Sequence, residues 1–239
     1  MVAGTLGGHA ALGAPLVDSQ QAKAAREQLV DRIAMGTRVR DRRVLEALRA
    51  VPRHLFVAAS LEEAYQDRPL PIPFGQKISQ PTVVGMMTQA LELSAEHHVL
   101  EIGTGSGYQA AILSPLCRRI YTIERHRPLL DEAKQRFKKL NLHNVVPRHG
   151  DGFAGWPEQA PFDRIVLSCA VPEVPKTLID QLKVGGMLIA PIGSVPNSDT
   201  LRGLESISQQ LTKMIRTQTG VTEEVLIPVV FVPMLSGLP

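Results

Sequence analysis

Apolar positions along the chain follow two different periods. Up to about residue 93 they recur at helical spacing. Residues 20–35 and 41–50 read as helices, the second with Val44, Leu45, Leu48 and Val51 in step and Pro52 as its stop. Residues 61–65 have room for one short helical turn. "DRPLPIPFGQ" holds three prolines and a glycine in ten residues, so it is an extended loop. Residues 81–93 read as a helix with Val83, Val84, Met87, Ala90 and Leu91 on one face.

From His98 short apolar runs alternate with helical stretches. "HVLEI", "RIYTIE", "NVVPRHG", "DRIVLSCA" and "GGMLIAPIG" read as strands. Between them, "YQAAILSPL" starts a helix that Pro115 ends or kinks. Residues 127–140 place Leu129, Leu130, Ala133, Phe137 and Leu140 on one helix face, and 174–182 read as a further helix. This alternation predicts an α/β fold with a parallel sheet covered by helices on both faces. The last forty residues depart from it. "QQLTKMIRT" and "EEVLIPVVFV", joined through Gly220, predict an antiparallel hairpin at the sheet edge.

The 239 residues are 44% apolar and 21% charged, the balance of an ordinary globular chain. Net charge is +3, with basic residues grouped at Arg38, Arg40, Arg42 and Arg43 and again over residues 118–139. Solvated helix faces account for these, and nucleic acid is not expected as a partner. Six Phe, three Tyr and one Trp are too few for a base-stacking platform. Cys117 and Cys169 lie in apolar stretches and read as buried free thiols. Neither a Cys-x-x-Cys pair nor a paired-histidine spacing occurs, so no metal is expected. The most apolar tract, residues 225–235, is broken by Pro228 and Pro233 and falls short of the ~18 residues a membrane span needs. The Gly- and Ala-rich residues 1–20 read as a mobile tail rather than a leader, and a cytoplasmic location is expected.

"LEIGTGSGY" carries the chemistry. Gly103, Gly105 and Gly107 follow a strand and open a helix, the place for a ligand to approach backbone. Glu101 precedes the turn, Glu124 ends the next strand and Asp151 follows the third. Carboxyl ends of strands are where such sheets bind ligands. Glu124 stands where an acid can accept both hydroxyls of a ribose, and Asp151 where one could accept an adenine amino group. The Gly-x-Gly-x-Gly spacing differs from that of pyrophosphate binders. Acids around it would repel a pyrophosphate and attract a cation. S-adenosyl-L-methionine, with an ammonium, a sulfonium, a ribose and no phosphate, therefore fits better than NAD.

"VLEALRAVPRHLFV", "AYQDRPLPIPFGQKISQP", "LEIGTGSGYQAAIL", "HGDGFAGWP", "APFDRIVLSCAVPEVP" and "VGGMLIAPIG" together resemble the protein-L-isoaspartate O-methyltransferase family, collinearly from about residue 28 to 237. The resemblance implies a Rossmann-like, seven-stranded methyltransferase sheet, mostly parallel with an antiparallel C-terminal edge, and extra N-terminal helices. It implies one domain over residues 21–239: a helical and active-site segment to 95, a cofactor core to 193 and a C-terminal β region. Methyl transfer to the free α-carboxylate of L-isoaspartyl residues in damaged proteins and peptides is the implied reaction. S-adenosyl-L-homocysteine is its other product, and a monomer is expected. Ser79 matches the family's active-site serine. Candidate cofactor residues are Gln76, Ile78, Ser79, Glu101, Gly103, Gly105, Ser106, Gly107, Glu124, Asp151 and Gly152. Lys77 departs from the resemblance, since the family often carries a small or hydroxyl residue there. An alternative is a class I methyltransferase acting on RNA or a small molecule. "SCAVPEVP" offers no side-chain amide to orient a base amine, which counts against it.

A carboxylate acceptor is already ionised at neutral pH and needs no general base. Ser79 then has two possible tasks: capping the helix at Pro81, or donating a hydrogen bond that aims the acceptor. The helix start would add free N–H groups for an anion.

Overall fold

The computed structural model describes residues 18–195 and 208–239. In chain order it contains α1 (Gln20–Gly36), α2 (Arg42–Ala50), α3 (Leu61–Ala64), β1 (Leu70–Pro71), β2 (Lys77–Ile78), α4 (Pro81–Ala90), β3 (His98–Ile102) and α5 (Tyr108–Leu113). There follow β4 (Arg119–Glu124), α6 (Arg127–Lys139), β5 (Val145–His149), β6 (Phe162–Leu167), α7 (Lys176–Asp180), β7 (Leu182–Gly193), β8 (Gln209–Arg216) and β9 (Val221–Val229). The seven-stranded sheet has the order β5-β4-β3-β6-β7-β8-β9. Pairings from β5 to β7 are parallel, and β8 and β9 add antiparallel. This is the expected methyltransferase sheet with its antiparallel edge.

Both faces of the sheet are covered, which is why its strands read as continuous apolar runs. Strand periodicity sorts them. Val99, Ile120, Val166 and Ile189 face a core shared with α2, α4, α5 and α6. Leu100, Ile102, Tyr121, Ile123, Ile165, Leu167 and Leu188 face the other core, closed by Leu178 of α7 and by Trp156. The same alternation puts Glu101 on the Val99 face, in register with Thr122.

Two boundaries differ from the pattern reading. The helix expected over 174–182 is reduced to α7, because Leu182 already pairs with Phe162 and starts β7. Gly185, at φ 79, and Gly186 let β7 bulge before it rejoins β6 at Arg164–Met187. At the other end, residues 18–20, expected in the tail, are part of the fold. The Ser19 hydroxyl caps α1 by accepting from Ala22 N at 3.1 Å, and Asp18 forms a two-oxygen ion pair with buried Arg26. The expected tail otherwise lies outside the described residues.

The proline-rich loop also contains structure. Leu70 and Pro71 pair antiparallel with Ile78 and Lys77. The tip of this hairpin passes through Phe74 and Gly75, both at positive φ (62 and 67). The Phe74 ring stacks on His126, with centroids 5.0 Å apart, and so joins the tip to the loop after β4.

Candidate active site

A cleft opens at the carboxyl ends of β3, β4 and β6, at the switch point where β4 and β5 lie on one side of β3 and β6 and β7 on the other. Gly103, Thr104, Gly105 and Ser106 form its floor. Gly103, Gly105 and Gly107 all have positive φ (91, 53 and 91), which side chains other than glycine's rarely tolerate. Gly107 itself does not line the cleft. It starts α5, and a Cβ there would sit 2.7 Å from the Phe137 ring.

The turn is held from β4. Gly103 N and Thr104 N both donate to Ile123 O. Glu124 Oε2 accepts from Gly105 N at 2.8 Å and Oε1 from His126 N at 2.9 Å. Each oxygen keeps a lone pair, and Glu124 lines the cleft. These free acceptors fit a diol.

Glu101 and Asp151 are placed differently from the acidic rim expected. Neither lines the cleft. Glu101 is fully buried beneath the turn. The Thr122 hydroxyl donates to its Oε2 at 2.5 Å and lies 2.6 Å from that of Thr104, while Glu101 Oε1 has no hydrogen-bond partner among the described residues. Burial pushes this carboxyl up to about 8; the Thr122 hydroxyl pulls against that and the Glu124 charge adds to it. Asp151 uses both oxygens as a clasp, accepting from Phe153 N at 2.9 Å and from Gly237 N at 2.7 Å. Gly152 does line the cleft, and a Cβ there would meet Ile102 at 2.5 Å.

The opposite wall is the hairpin. Gln76, Lys77, Ile78 and Ser79 line the cleft along it. Ser79, Lys77, Ser168 and Val232 also line an adjoining groove with Gln80, Val83 and residues 228–231. Ser79 thus stands between two compartments.

It is not the cap of α4. Gln80 occupies the N-cap and makes no side-chain cap bond. Asp67 caps from outside, accepting from Thr82 N at 2.9 Å and from the Thr82 hydroxyl at 2.6 Å. The expectation of free N–H groups for a substrate anion is accordingly reduced, since Pro81 has none and Thr82 N is taken. Among the described residues the half-buried Ser79 hydroxyl has no hydrogen-bond partner. Arg68, in the loop before the hairpin, pairs with Glu63 and Gln66.

The pattern of the sequence did not reveal the roof, Val232 to Leu235. Here the chain leaves β9 and crosses to the segment after β6, with which it pairs in parallel. Ala170 N donates to Val232 O, and Met234 N donates to Ala170 O. Thr104, Ser168, Cys169, Arg125 and His126 also line the cleft without having been singled out. Among the described residues no cluster of His, Cys, Asp and Glu could hold a metal ion.

Comparison with known proteins decides the family. The family model described as Protein-L-isoaspartate(D-aspartate) O-methyltransferase matches residues 24–238. The chain belongs to the protein-L-isoaspartate O-methyltransferase family. A relative of that name from Paramagnetospirillum magneticum is 50% identical over 217 residues, covering 89% of this chain and 97% of the relative. A solved protein-L-isoaspartate O-methyltransferase superposes with a TM-score of 0.75 at 28% identity, over 87% of this chain and 65% of that one, just under two thirds of its length. A second structure, a putative family member from Plasmodium falciparum in complex with S-adenosyl-L-homocysteine, shares the fold with a TM-score of 0.70 at 21% identity, over 90% and 99% of the two chains. Family membership makes the cleft the place to look for methyl transfer.

Proposed function

We propose that this chain methylates the free α-carboxylate of L-isoaspartyl residues in proteins and peptides, and so starts their repair. The observation that carries the reading is Ser79, whose hydroxyl stands between two compartments of a family methyltransferase and has no partner among the described residues. S-adenosyl-L-methionine supplies an electrophilic methyl group on a sulfonium, and the acceptor oxygen takes it while the C–S electrons leave on sulfur. Glu124, with an unused lone pair on each oxygen, suits the ribose hydroxyls. Gly103 and Gly105 give backbone approach, with Ser106, Gln76, Ile78 and Gly152 closing around the ligand. Glu101 supports this wall from below through Thr122 and Thr104.

Ser79 faces the groove and donates one hydrogen bond to the acceptor carboxylate, fixing the oxygen that points toward the cleft. No proton changes hands, so placement in a water-poor pocket is the main task. The apolar Val83, Val229, Phe231 and Val232 walls contribute to that setting.

The test is labelled S-adenosyl-L-methionine with two matched peptides, one isoaspartyl and one aspartyl. Label is expected in the isoaspartyl peptide alone. Label in both, or in neither, refutes the reading.

A further inference from the structure

Lys77 and Ser79 are two residues apart on an extended segment whose intervening residue, Ile78, is buried at 3% exposure. Alternation therefore puts the two side chains on the same side, their Cα atoms about 7 Å apart along the strand. Lys77 borders both compartments and is itself exposed. Among the described residues it has no ion-pair or hydrogen-bond partner. Among the described residues that line the groove beyond Ser79 it is the one charged side chain. The other walls are Pro69, Gln80, Ser168 and apolar residues. A lone charge beside low-dielectric walls projects its field into the groove.

The acceptor carboxylate is the wrong target for that field. Methyl transfer joins an anion to a sulfonium and leaves a neutral ester and a neutral thioether. A cation bound to the acceptor would stabilise charge that must vanish, favouring the ground state over the transition state. Ser79 can orient the carboxylate without this penalty. Lys77, further toward solvent, is placed for a second anion on the substrate.

We propose that Lys77 is a specificity residue that favours isoaspartyl sites with a neighbouring acidic side chain. The inference rests on the repair reading above and adds a substrate class to it. Its energy is that of a partly exposed ion pair, so the expected preference is about 3- to 5-fold, shrinking with salt.

The experiment uses three isoaspartyl peptides that differ only in the flanking residue, Glu, Gln or Lys. kcat/KM is measured for the native chain, Lys77→Met and Lys77→Glu, at low and at 0.5 M salt (about a 4 Å screening length). The native chain should rank Glu above Gln above Lys, with the ranking compressed at high salt. Lys77→Met should bring the ratios near one, and Lys77→Glu should reverse them. Ratios that stay the same in both variants overturn the role of Lys77 and leave the repair reading standing. A Lys77→Met variant whose kcat rises together with KM on every peptide also overturns it, because that signature belongs to a cation on the acceptor. Absence of label in all three peptides sinks both readings.

Discussion

The two walls of the cleft treat their polar groups in opposite ways. On the glycine-turn wall, Gly103, Thr104 and Gly105 have committed their N–H groups to Ile123 O and Glu124. Glu124, Thr104 and Thr122 are likewise bonded within the protein. On the hairpin wall, the Ser79 hydroxyl and Lys77 ammonium have no partner among the described residues. A wall that must hold one constant ligand benefits from a rigid, satisfied scaffold. A wall that receives many different peptides benefits from free groups on a short hairpin. The fold keeps the second wall ordered by indirect means: Asp67 takes over the capping of α4, and Phe74 leans on His126.

The largest effect expected from breaking this contrast is on the rigid wall. Gly107→Ala puts a Cβ against Phe137 at a backbone φ of 91. Strain and overpacking together should cost about 2–4 kcal/mol. Chemical denaturation measures this, and affinity for S-adenosyl-L-homocysteine should fall with it. An unchanged denaturation midpoint would mean that the turn is softer than its hydrogen bonds imply.

Ser79→Ala is the matching change on the open wall. Its hydroxyl bonds nothing among the described residues, so stability should hold within about 0.5 kcal/mol. The lost hydrogen bond to a charged acceptor is worth about 1.5–3 kcal/mol, or roughly 10- to 100-fold in turnover. Cofactor affinity should change little. A variant that melts early while still turning over would return Ser79 to a structural role and erase the difference between the walls.

How far each wall could be read in the sequence follows from the range of its interactions. The doubly covered strands β3, β4 and β6 appear as apolar runs because most of their residues are buried on one face or the other. Gly103, Gly105 and Glu124 are legible for a similar reason: a strand, a turn and the next strand fix them locally. Asp67 was not legible, because it caps a helix that starts fourteen residues later in sequence, through a contact only the folded chain makes. The roof at residues 232–235 was hidden too. Its apolar composition fits a strand, and only pairing with Ala170 turns it over the cleft. Asp151 stood at a strand end as a ligand would, yet backbone groups on both sides had claimed its oxygens.

Glu101 offers the subtlest test, because it is the exception within the satisfied wall. Its Oε1 is buried without a partner and its carboxyl is pushed up to about 8 from 4.5. An unfolded chain ionises this group near 4.5, whereas the folded chain holds its proton until about 8. Over that interval the unfolded state binds fewer protons, so stability falls as pH rises. The contribution is fully present below the lower value and lost by the time pH passes the upper one. One proton gives a limiting slope of about 1.4 kcal/mol per pH unit. Glu101→Gln keeps the shape and cannot ionise. Denaturation of both proteins between pH 5 and 8.5 should show the native chain losing stability relative to the variant with each step upward. Parallel curves would mean that the carboxylate is charged in the fold and that a cation or water reaches Oε1, which would return Glu101 to the electrostatics of the cleft itself.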